Sequence, residues 1–167
     1  MFARTFKTAR VALCLGAAVV LWAGGSFLWE QRRNRRIVSE TAVEIGVPPE
    51  LLLAVAKVES GFRSSARSPK GALGIMQVMP ETGREVARRL GLASYDLADP
   101  HDSALIGGTY LQWMLARYGG EERLALAAYH AGPSRVDAWL AQGGLEHAFG
   151  ETRRYVSAVL EERDGFR

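Results

Sequence analysis

The chain has 167 residues and a formal net charge of +3, which is the length of one domain with a short extension. Hydrophobic residues make up 48% and charged residues 23% of the chain, a composition that excludes an intrinsically disordered protein. The single cysteine excludes an internal disulfide and a cysteine-based zinc site, and neither a HExxH motif nor a P-loop is present.

Basic residues are concentrated at the start of the chain. Residues 1–36 contain seven Lys or Arg and one acidic residue, a charge of +6, whereas residues 37–167 contain 14 Lys or Arg and 17 Asp or Glu, a charge of −3. A mildly acidic domain lacks the basic surface of a nucleic-acid-binding protein. We therefore expect no nucleic-acid partner, and we place a domain boundary between residues 36 and 37.

The first segment contains a long uncharged stretch. Val11 to Trp29 is 19 residues without a charged side chain, with basic residues on both sides. At about 1.5 Å per residue, a helix of this length just spans the hydrocarbon core of a bilayer. The pattern predicts that residues 1–36 are a single-pass membrane anchor with basic flanks. A cleaved signal peptide ending near Ala23-Gly24-Gly25 is the alternative, and the flanking arginines disfavour a buried core helix.

From residue 37 onward, glycines and prolines separate short segments with helical periodicity. These signals predict helices at residues 37–45, 51–59, 80–90, 102–118, 121–130, 135–141 and 151–163. No stretch alternates apolar and polar residues for long enough to predict a strand, and residues 72–79 fit either a short hairpin or an irregular loop. The fold class is therefore mainly α, with one domain over residues 37–167.

Glu59 stands out because it ends an apolar helix face. Leu52, Val55 and Ala56 share one side of the helix at residues 51–59, and Glu59 continues that side. A carboxyl group among apolar side chains is costly to ionise, so its pKa should rise into the range that suits a general acid. The alternative is a surface glutamate that reaches solvent and pairs with Arg63.

Two other segments have the composition of a sugar-binding groove. Residues 71–80 combine two glycines, two methionines and a lone glutamine, which would offer apolar surface for sugar rings and an amide for polar substituents. Residues 124–133 form a small-residue helix that ends in Tyr129 and His130. The alternatives are a buried connecting loop, a core tyrosine and an ordinary hydrogen-bonded histidine.

Together these segments resemble the catalytic domain of lytic transglycosylases of the soluble-transglycosylase (SLT) type. Four stretches match that family's motifs in order: Glu59-Ser60-Gly61-Phe62, residues 71–80, Ala128-Tyr129-His130-Ala131-Gly132-Pro133, and Glu151-Thr152-Arg153-Arg154-Tyr155-Val156. The similarity covers about residues 37–163, and it is the ordered set, rather than any one motif, that makes it specific.

The resemblance implies a lysozyme-like, mainly α fold and cleavage of the β-1,4 bond between N-acetylmuramic acid and N-acetylglucosamine in peptidoglycan. Glu59 would act first as acid and then as base, so that the muramoyl C6 hydroxyl attacks C1 and leaves a 1,6-anhydro end. The substrate's acetamido group would assist, so no second nucleophilic carboxylate is required. Asp96, Asp99 and Asp102 are therefore interpreted as loop and helix-cap residues. No metal and no organic cofactor is implied.

The resemblance also assigns the remaining site residues. Those implied to contact substrate are Ser68, Gln77, Met79, Tyr129, His130 and Glu151. Tyr155 is interpreted either as structural or as a residue that acts through one of the site residues. His130 departs from the family pattern, which has asparagine there, and an imidazole titrates near 6.5. We hypothesise that a protonated His130 close to Glu59 would lower the pKa of that acid, and with it the activity, below about pH 6.5.

Because peptidoglycan lies outside the inner membrane, the expected location is that membrane, with residues 1–10 inside and the catalytic domain facing the periplasm or cell exterior. The expected partners are glycan strands and the bilayer. A tethered single domain is compatible with a role in a secretion or conjugation complex and equally with a role in wall turnover. A hydrolytic muramidase on the same fold and a wall-binding scaffold of an envelope machine are the alternatives.

Overall fold

The computed structural model describes residue 25 and residues 28–167. Helix α1 is described over residues 28–45. The elements that follow are α2 (Pro49–Ser60), α3 (Pro80–Leu90), α4 (Pro100–Arg117), α5 (Glu122–Ala131), α6 (Pro133–Ala141), the short 3₁₀ helix η1 (Leu145–His147) and α7 (Gly150–Asp164). In this part of the chain, β pairing is limited to two isolated antiparallel bridges that both involve Leu73. The predicted mainly α fold is confirmed, and residues 72–79 form a loop with hairpin-like pairing.

The ends of the helices follow from local residue chemistry. Four helices start with proline in their first turn, at Pro49, Pro80, Pro100 and Pro133. Proline is favoured there because its missing N–H would have no partner within the helix. Gly61 and Gly91 end α2 and α3 in the left-handed conformation, in which their N–H groups bond to carbonyls of the last turn. The predicted ends are therefore correct to within about two residues for most helices.

The acidic segment before α4 forms a helix cap. The Asp99 carboxylate accepts hydrogen bonds from the N–H groups of His101 (2.9 Å) and Asp102 (3.1 Å), and Asp102 accepts one from the Asp96 N–H (2.8 Å). The interpretation of these aspartates as loop and cap residues is confirmed. Ligand atoms of Asp99, His101 and Asp102 lie within 4.8 Å of one another at the protein surface, and the carboxylates are already used in the cap.

Helix α2 lies at the centre of the domain. Residues 51–56 are all buried, so neighbours enclose the middle of α2 on every side. Helix α7 packs directly against it, and α5 packs against α4, α6 and α7. Because an enclosed helix cannot rotate or slide without opening the core, the C-terminal end of α2 has a fixed position. Glu59 and Ser60 lie at that end.

Helix α1 begins earlier than the sequence pattern predicts. It is already helical at residue 28, and residues before the expected start at 37 contact the domain, with Asn34 fully buried. The predicted membrane span, Val11 to Trp29, falls outside the described residues except at positions 25, 28 and 29. Of the helices in the described part, none combines the length and hydropathy that a membrane-spanning segment requires. The membrane anchor stays a prediction.

Candidate active site

A groove of about 580 Å³ lies where the end of α2, the loop before α3, the end of α5 and the start of α7 meet. All seven predicted site residues line it: Glu59, Ser68, Gln77, Met79, Tyr129, His130 and Glu151. These residues come from four separate chain segments, so the fold, rather than closeness in sequence, brings them together. Their roles toward a substrate stay predictions.

Glu59 lies on the groove wall with most of its side chain buried, and burial raises its pKa from 4.5 to about 7. A polar interaction with the Tyr155 hydroxyl lowers the pKa and so opposes this shift, but does not cancel it. Arg63 does not pair with Glu59, because its Nε donates to the Ser60 carbonyl at 2.8 Å. The surface alternative is therefore wrong. A carboxyl group with this pKa can hold a proton near neutral pH and can also release it.

Two tyrosines, the buried Tyr155 and the half-buried Tyr129, lie beside the carboxyl group. The Tyr129 hydroxyl donates to the Met76 carbonyl at 2.7 Å. The Tyr155 hydroxyl faces Glu59 and makes no well-formed hydrogen bond to any described residue. Burial raises the pKa of both tyrosines, and the nearby charge of Glu59 raises it further. Both therefore stay neutral and maintain the poorly solvated surroundings that hold Glu59 protonated.

The loop wall of the groove is tied together by its own polar groups. Gln77 adopts a left-handed backbone, φ 47°, and its side-chain amide donates to the carbonyls of Ala66 (3.2 Å) and Gly74 (2.9 Å). The Ser68 hydroxyl accepts from the Ala72 N–H at 3.0 Å. The expectation that Gln77 offers a whole amide to substrate is thus corrected: its donors hold the loop, and only its carbonyl oxygen is left for a ligand.

Two glycines let this loop lie against its neighbours. Gly74 has φ +75°, and a Cβ there would come within 1.8 Å of the Leu97 carbonyl oxygen. A Cβ on Gly107 of α4 would come within 2.5 Å of the Met76 Cβ. Both positions therefore require glycine, one for backbone conformation and contact, the other for close approach. The loop is held at its position by backbone geometry as well as by hydrogen bonds.

His130 and Glu151 also line the groove and face each other. The His130 Nε2 lies 4.0 Å from a Glu151 carboxylate oxygen, and the imidazole stacks on Tyr155 with ring centroids 4.4 Å apart. Burial lowers the pKa of His130, Glu151 opposes that shift and Lys70 adds to it. His130 therefore stays neutral to a lower pH than the expected 6.5. The hypothesised loss of activity would begin at correspondingly lower pH.

Several groove residues were not predicted from the sequence. They are Lys70, Thr82, Tyr110, Arg135, Phe149 and Thr152. Phe149 is 61% exposed and packs edge-on against Trp139, with centroids 5.7 Å apart. An exposed aromatic residue at the edge of a groove belongs to no periodic apolar pattern that would reveal it. The signal in the sequence that could have identified Phe149 as a groove residue is its position two residues before Glu151.

Comparison with known proteins supports one family. The family model described as transglycosylase SLT domain matches residues 36–148. The chain is 35% identical over 127 residues to the soluble lytic murein transglycosylase of Escherichia coli, which covers 68% of this chain and 20% of that protein. It is 38% identical over 71 residues to the endo-type membrane-bound lytic murein transglycosylase A of Klebsiella pneumoniae, covering 40% of this chain and 35% of that protein.

Solved structures agree with the sequence comparison. An inactive Glu-to-Gln mutant of lytic transglycosylase Slt from Pseudomonas aeruginosa superposes with a TM-score of 0.72 at 34% identity, over 77% of this chain and 23% of that one. The 70-kDa soluble lytic transglycosylase in complex with bulgecin A gives a TM-score of 0.73 at 31% identity, over 79% and 24%. The resemblance and its lysozyme-like fold are confirmed. The chain spans about a fifth of the length of the soluble relatives it matches.

Proposed function

The chain belongs to the transglycosylase SLT family, and on that premise we propose that it is a peptidoglycan lytic transglycosylase. It cleaves the β-1,4 bond between N-acetylmuramic acid and N-acetylglucosamine without water and leaves 1,6-anhydro-muramoyl ends. The observation that carries the proposal is Glu59, mostly buried on the groove wall with a pKa of about 7.

Glu59 performs two proton transfers in this reaction. Its protonated carboxyl group first donates the proton to the glycosidic oxygen, so that the bond to C1 breaks and the N-acetylglucosamine unit leaves as an alcohol. The resulting carboxylate then takes the proton of the muramoyl C6 hydroxyl as that oxygen bonds to C1. Glu59 ends protonated, as it began. A pKa of about 7 suits both steps, because neither form is strongly disfavoured near neutral pH.

A single buried acid agrees with this chemistry. Ordinary glycosidases pair two carboxyl groups, at about 5–5.5 Å or 6.5–9.5 Å, the second serving as nucleophile or as base for water. Among the described residues of the groove, Glu151 is the only other carboxylate, and its side chain is 66% exposed beside His130. The pKa of Glu59 is raised by burial and not by a neighbouring negative charge. In the transglycosylase, the substrate's acetamido group takes the place of a second protein nucleophile.

The other groove residues bind the glycan. The Gln77 carbonyl oxygen and the Ser68 hydroxyl bond polar substituents near Glu59, and Met79, which is 44% exposed, contacts sugar carbons. Tyr129 shields Glu59 from water, and His130 with Glu151 contacts the opposite side of the glycan strand. One relative, a lytic transglycosylase inactivated by a Glu-to-Gln replacement, supports the central place of a glutamate in this family.

The proposal includes the location of the enzyme. The uncharged stretch from Val11 to Trp29 anchors the chain in the inner membrane, with the domain on the periplasmic or outer side where peptidoglycan lies. A relative named as membrane-bound supports an anchored form. A tethered domain of this size suits local opening of the wall, including opening for a secretion or conjugation complex.

The test is mass spectrometry of glycan fragments released from purified peptidoglycan by the full chain in detergent. The matched control is Glu59→Gln, which keeps the shape of the side chain but cannot donate a proton from an acid. We expect anhydro-muramoyl ends from the wild type and none from the variant. Reducing muramic-acid ends, heavier by one water, would instead assign a hydrolytic muramidase. Binding to peptidoglycan without any product from either protein would assign a wall-binding scaffold.

A further inference from the structure

The polar side of helix α1 lies against the turn that follows Glu59. The Gln31 side-chain amide donates to the Gly61 carbonyl at 3.1 Å, and the Asn34 amide donates to the Phe62 carbonyl at 2.9 Å. The Glu30 carboxylate accepts from the Ser64 hydroxyl at 2.7 Å. One helical turn of α1 therefore bonds to three residues of a four-residue turn, and that turn begins two residues after Glu59.

The turn that α1 holds has an unfavourable backbone. Gly61 and Phe62 are consecutive left-handed residues, with φ of 61° and 63°. Glycine adopts this conformation freely, but for a bulky residue such as phenylalanine it is a genuine outlier. Such a conformation persists only where its surroundings fix it. The bonds from α1 reach the carbonyls of these same two residues, Gly61 and Phe62.

Burial makes these bonds specific. Asn34 is 0% exposed, so its amide cannot exchange the Phe62 carbonyl for water without opening the domain. The Phe62 ring is buried as well and packs edge-on against Phe166 at 6.5 Å, while the Arg35 guanidinium lies 4.8 Å from the same Phe166 ring. Both ends of the described chain therefore close on this turn.

On the other side, the turn is connected to the groove. The Ser60 hydroxyl donates to the Ile75 carbonyl at 2.8 Å and accepts from the Arg63 N–H at 3.2 Å. Residues 60–64 thus lie between α1 and the loop wall. Any relaxation of Phe62 to an ordinary backbone would move the last turn of α2, which includes Glu59.

We propose that Glu30, Gln31 and Asn34 are positioning residues, and that α1 orients Glu59 in the groove by holding the Gly61-Phe62 turn in its left-handed form. The family model begins at residue 36, so these three residues precede the matched domain. The helix next to the predicted anchor is then part of the catalytic apparatus and not a spacer. The expected effect on catalysis rests on the proposed function of Glu59, whereas the orientation of Glu59 by α1 does not.

The test compares Asn34→Ala with Arg36→Ala in the full chain. Asn34→Ala removes the buried bond, whereas Arg36 is an exposed residue of the same helix whose nearest acidic partner is Glu40 at 3.7 Å. We expect Asn34→Ala to lower kcat by about ten- to a hundredfold while KM changes less than about twofold, because misplacing the acid affects the chemical step more than binding. Arg36→Ala should leave both constants unchanged.

A second measurement does not depend on turnover. The Glu59 carboxyl group is titrated by NMR in the wild type and in Asn34→Ala, with Glu59→Gln identifying the signal. Release of the turn should expose Glu59 and lower its pKa from about 7 toward 4.5. An unchanged titration together with an unchanged kcat in folded Asn34→Ala would overturn the proposal. If Asn34→Ala does not fold, Gln31→Ala, which breaks a part-buried bond to the same turn, is read by the same two criteria. If the wild type makes no anhydro product but the titration of Glu59 still shifts in Asn34→Ala, the proposed function is contradicted and the positioning role of α1 is not.

Discussion

Two glutamates line the groove, and they differ in their surroundings. Glu59 closely follows six consecutive buried residues of α2 and lies beside the buried Tyr155 and the half-buried Tyr129, so its pKa rises to about 7. Glu151 lies in the first turn of α7, is 66% exposed and faces His130. On the proposed function, the same side chain serves as the proton donor at position 59 and as a polar contact to the glycan at position 151. Burial, and not residue type, separates the two roles.

The sharpest test of this comparison is to replace each glutamate in turn. Glu59→Gln should lower the release of anhydro-muramoyl product by about 10²–10⁴-fold, the usual contribution of general acid–base catalysis. Glu151→Gln should lower it by less than about tenfold, mainly through KM, because an exposed contact is replaced by another polar group. Product release is measured from purified peptidoglycan. Equal losses in the two variants would contradict the division of roles.

The next largest effect is expected on stability, from a substitution in the groove loop that precedes α3. Gly74→Ala places a Cβ within 1.8 Å of the Leu97 carbonyl oxygen at a φ of +75°. Because both obstacles are backbone, no side-chain rotation can relieve them, and we expect a loss of roughly 3 kcal/mol or more in the free energy of unfolding. Urea denaturation measures it. The control is Gly71→Ala, which has φ +90° but no atom within 4 Å of the new Cβ, and which should lose clearly less.

The ends of most helices, and the turns between them, could be predicted from the sequence, because proline and glycine act locally. Pro80 and Gly91 mark the two ends of α3, and the structure begins and ends that helix at the positions expected. The start of α1 could not be read in this way. Residues 28–36 carry arginines typical of a membrane flank. Among the side chains of this segment that bond to the domain are Gln31 and Asn34, and their partners, Gly61 and Phe62, lie about 30 positions away in the sequence. Non-local hydrogen bonds leave no periodic signal in a sequence.

The site residues show the same difference between local and non-local signals. The spacing of its apolar neighbours made Glu59 a candidate acid but left a surface glutamate open as the alternative. Composition marked the segments that contain Gln77 and Tyr129, whereas Ser68 and Glu151 required the resemblance, because residues so far apart in sequence meet only in the fold. The sequence also could not show that the Gln77 amide donors are used within the loop, since its acceptors are backbone carbonyls, which every residue has.

The buried carboxyl group also makes stability depend on pH, with a smaller effect than the previous two. The pKa of Glu59 is higher in the folded chain, about 7, than the ordinary 4.5 of an exposed glutamate. Its contribution to stability is complete below the unfolded pKa and is lost as the pH rises through the folded pKa. The expected loss between about pH 4.5 and pH 8 is up to about 3 kcal/mol. Glu59→Gln has no such charge to bury.

Denaturation of wild type and Glu59→Gln at several pH values measures this difference. The variant should become the more stable of the two above about pH 7, while losing activity at every pH. A stability difference that does not vary with pH would mean that Glu59 is not buried in its neutral form. Glu151→Gln is the matched control, because it makes the same Glu-to-Gln change at a side chain that is exposed in the folded chain.

The smallest expected effect concerns His130. Its ring stacks on Tyr155, which interacts with Glu59, and we expect a charge on the imidazole to favour the ionised form of the acid through this contact. Burial lowers the pKa of His130, which keeps the ring neutral at neutral pH. His130→Asn should therefore change activity by less than about twofold near pH 7 and should raise relative activity only at pH clearly below 6.5. Initial rates of anhydro product across pH measure it. Identical pH profiles for wild type and His130→Asn would show that the charge of the imidazole does not affect Glu59. The contact of His130 with the exposed Glu151 would then be the remaining explanation for a histidine at this position.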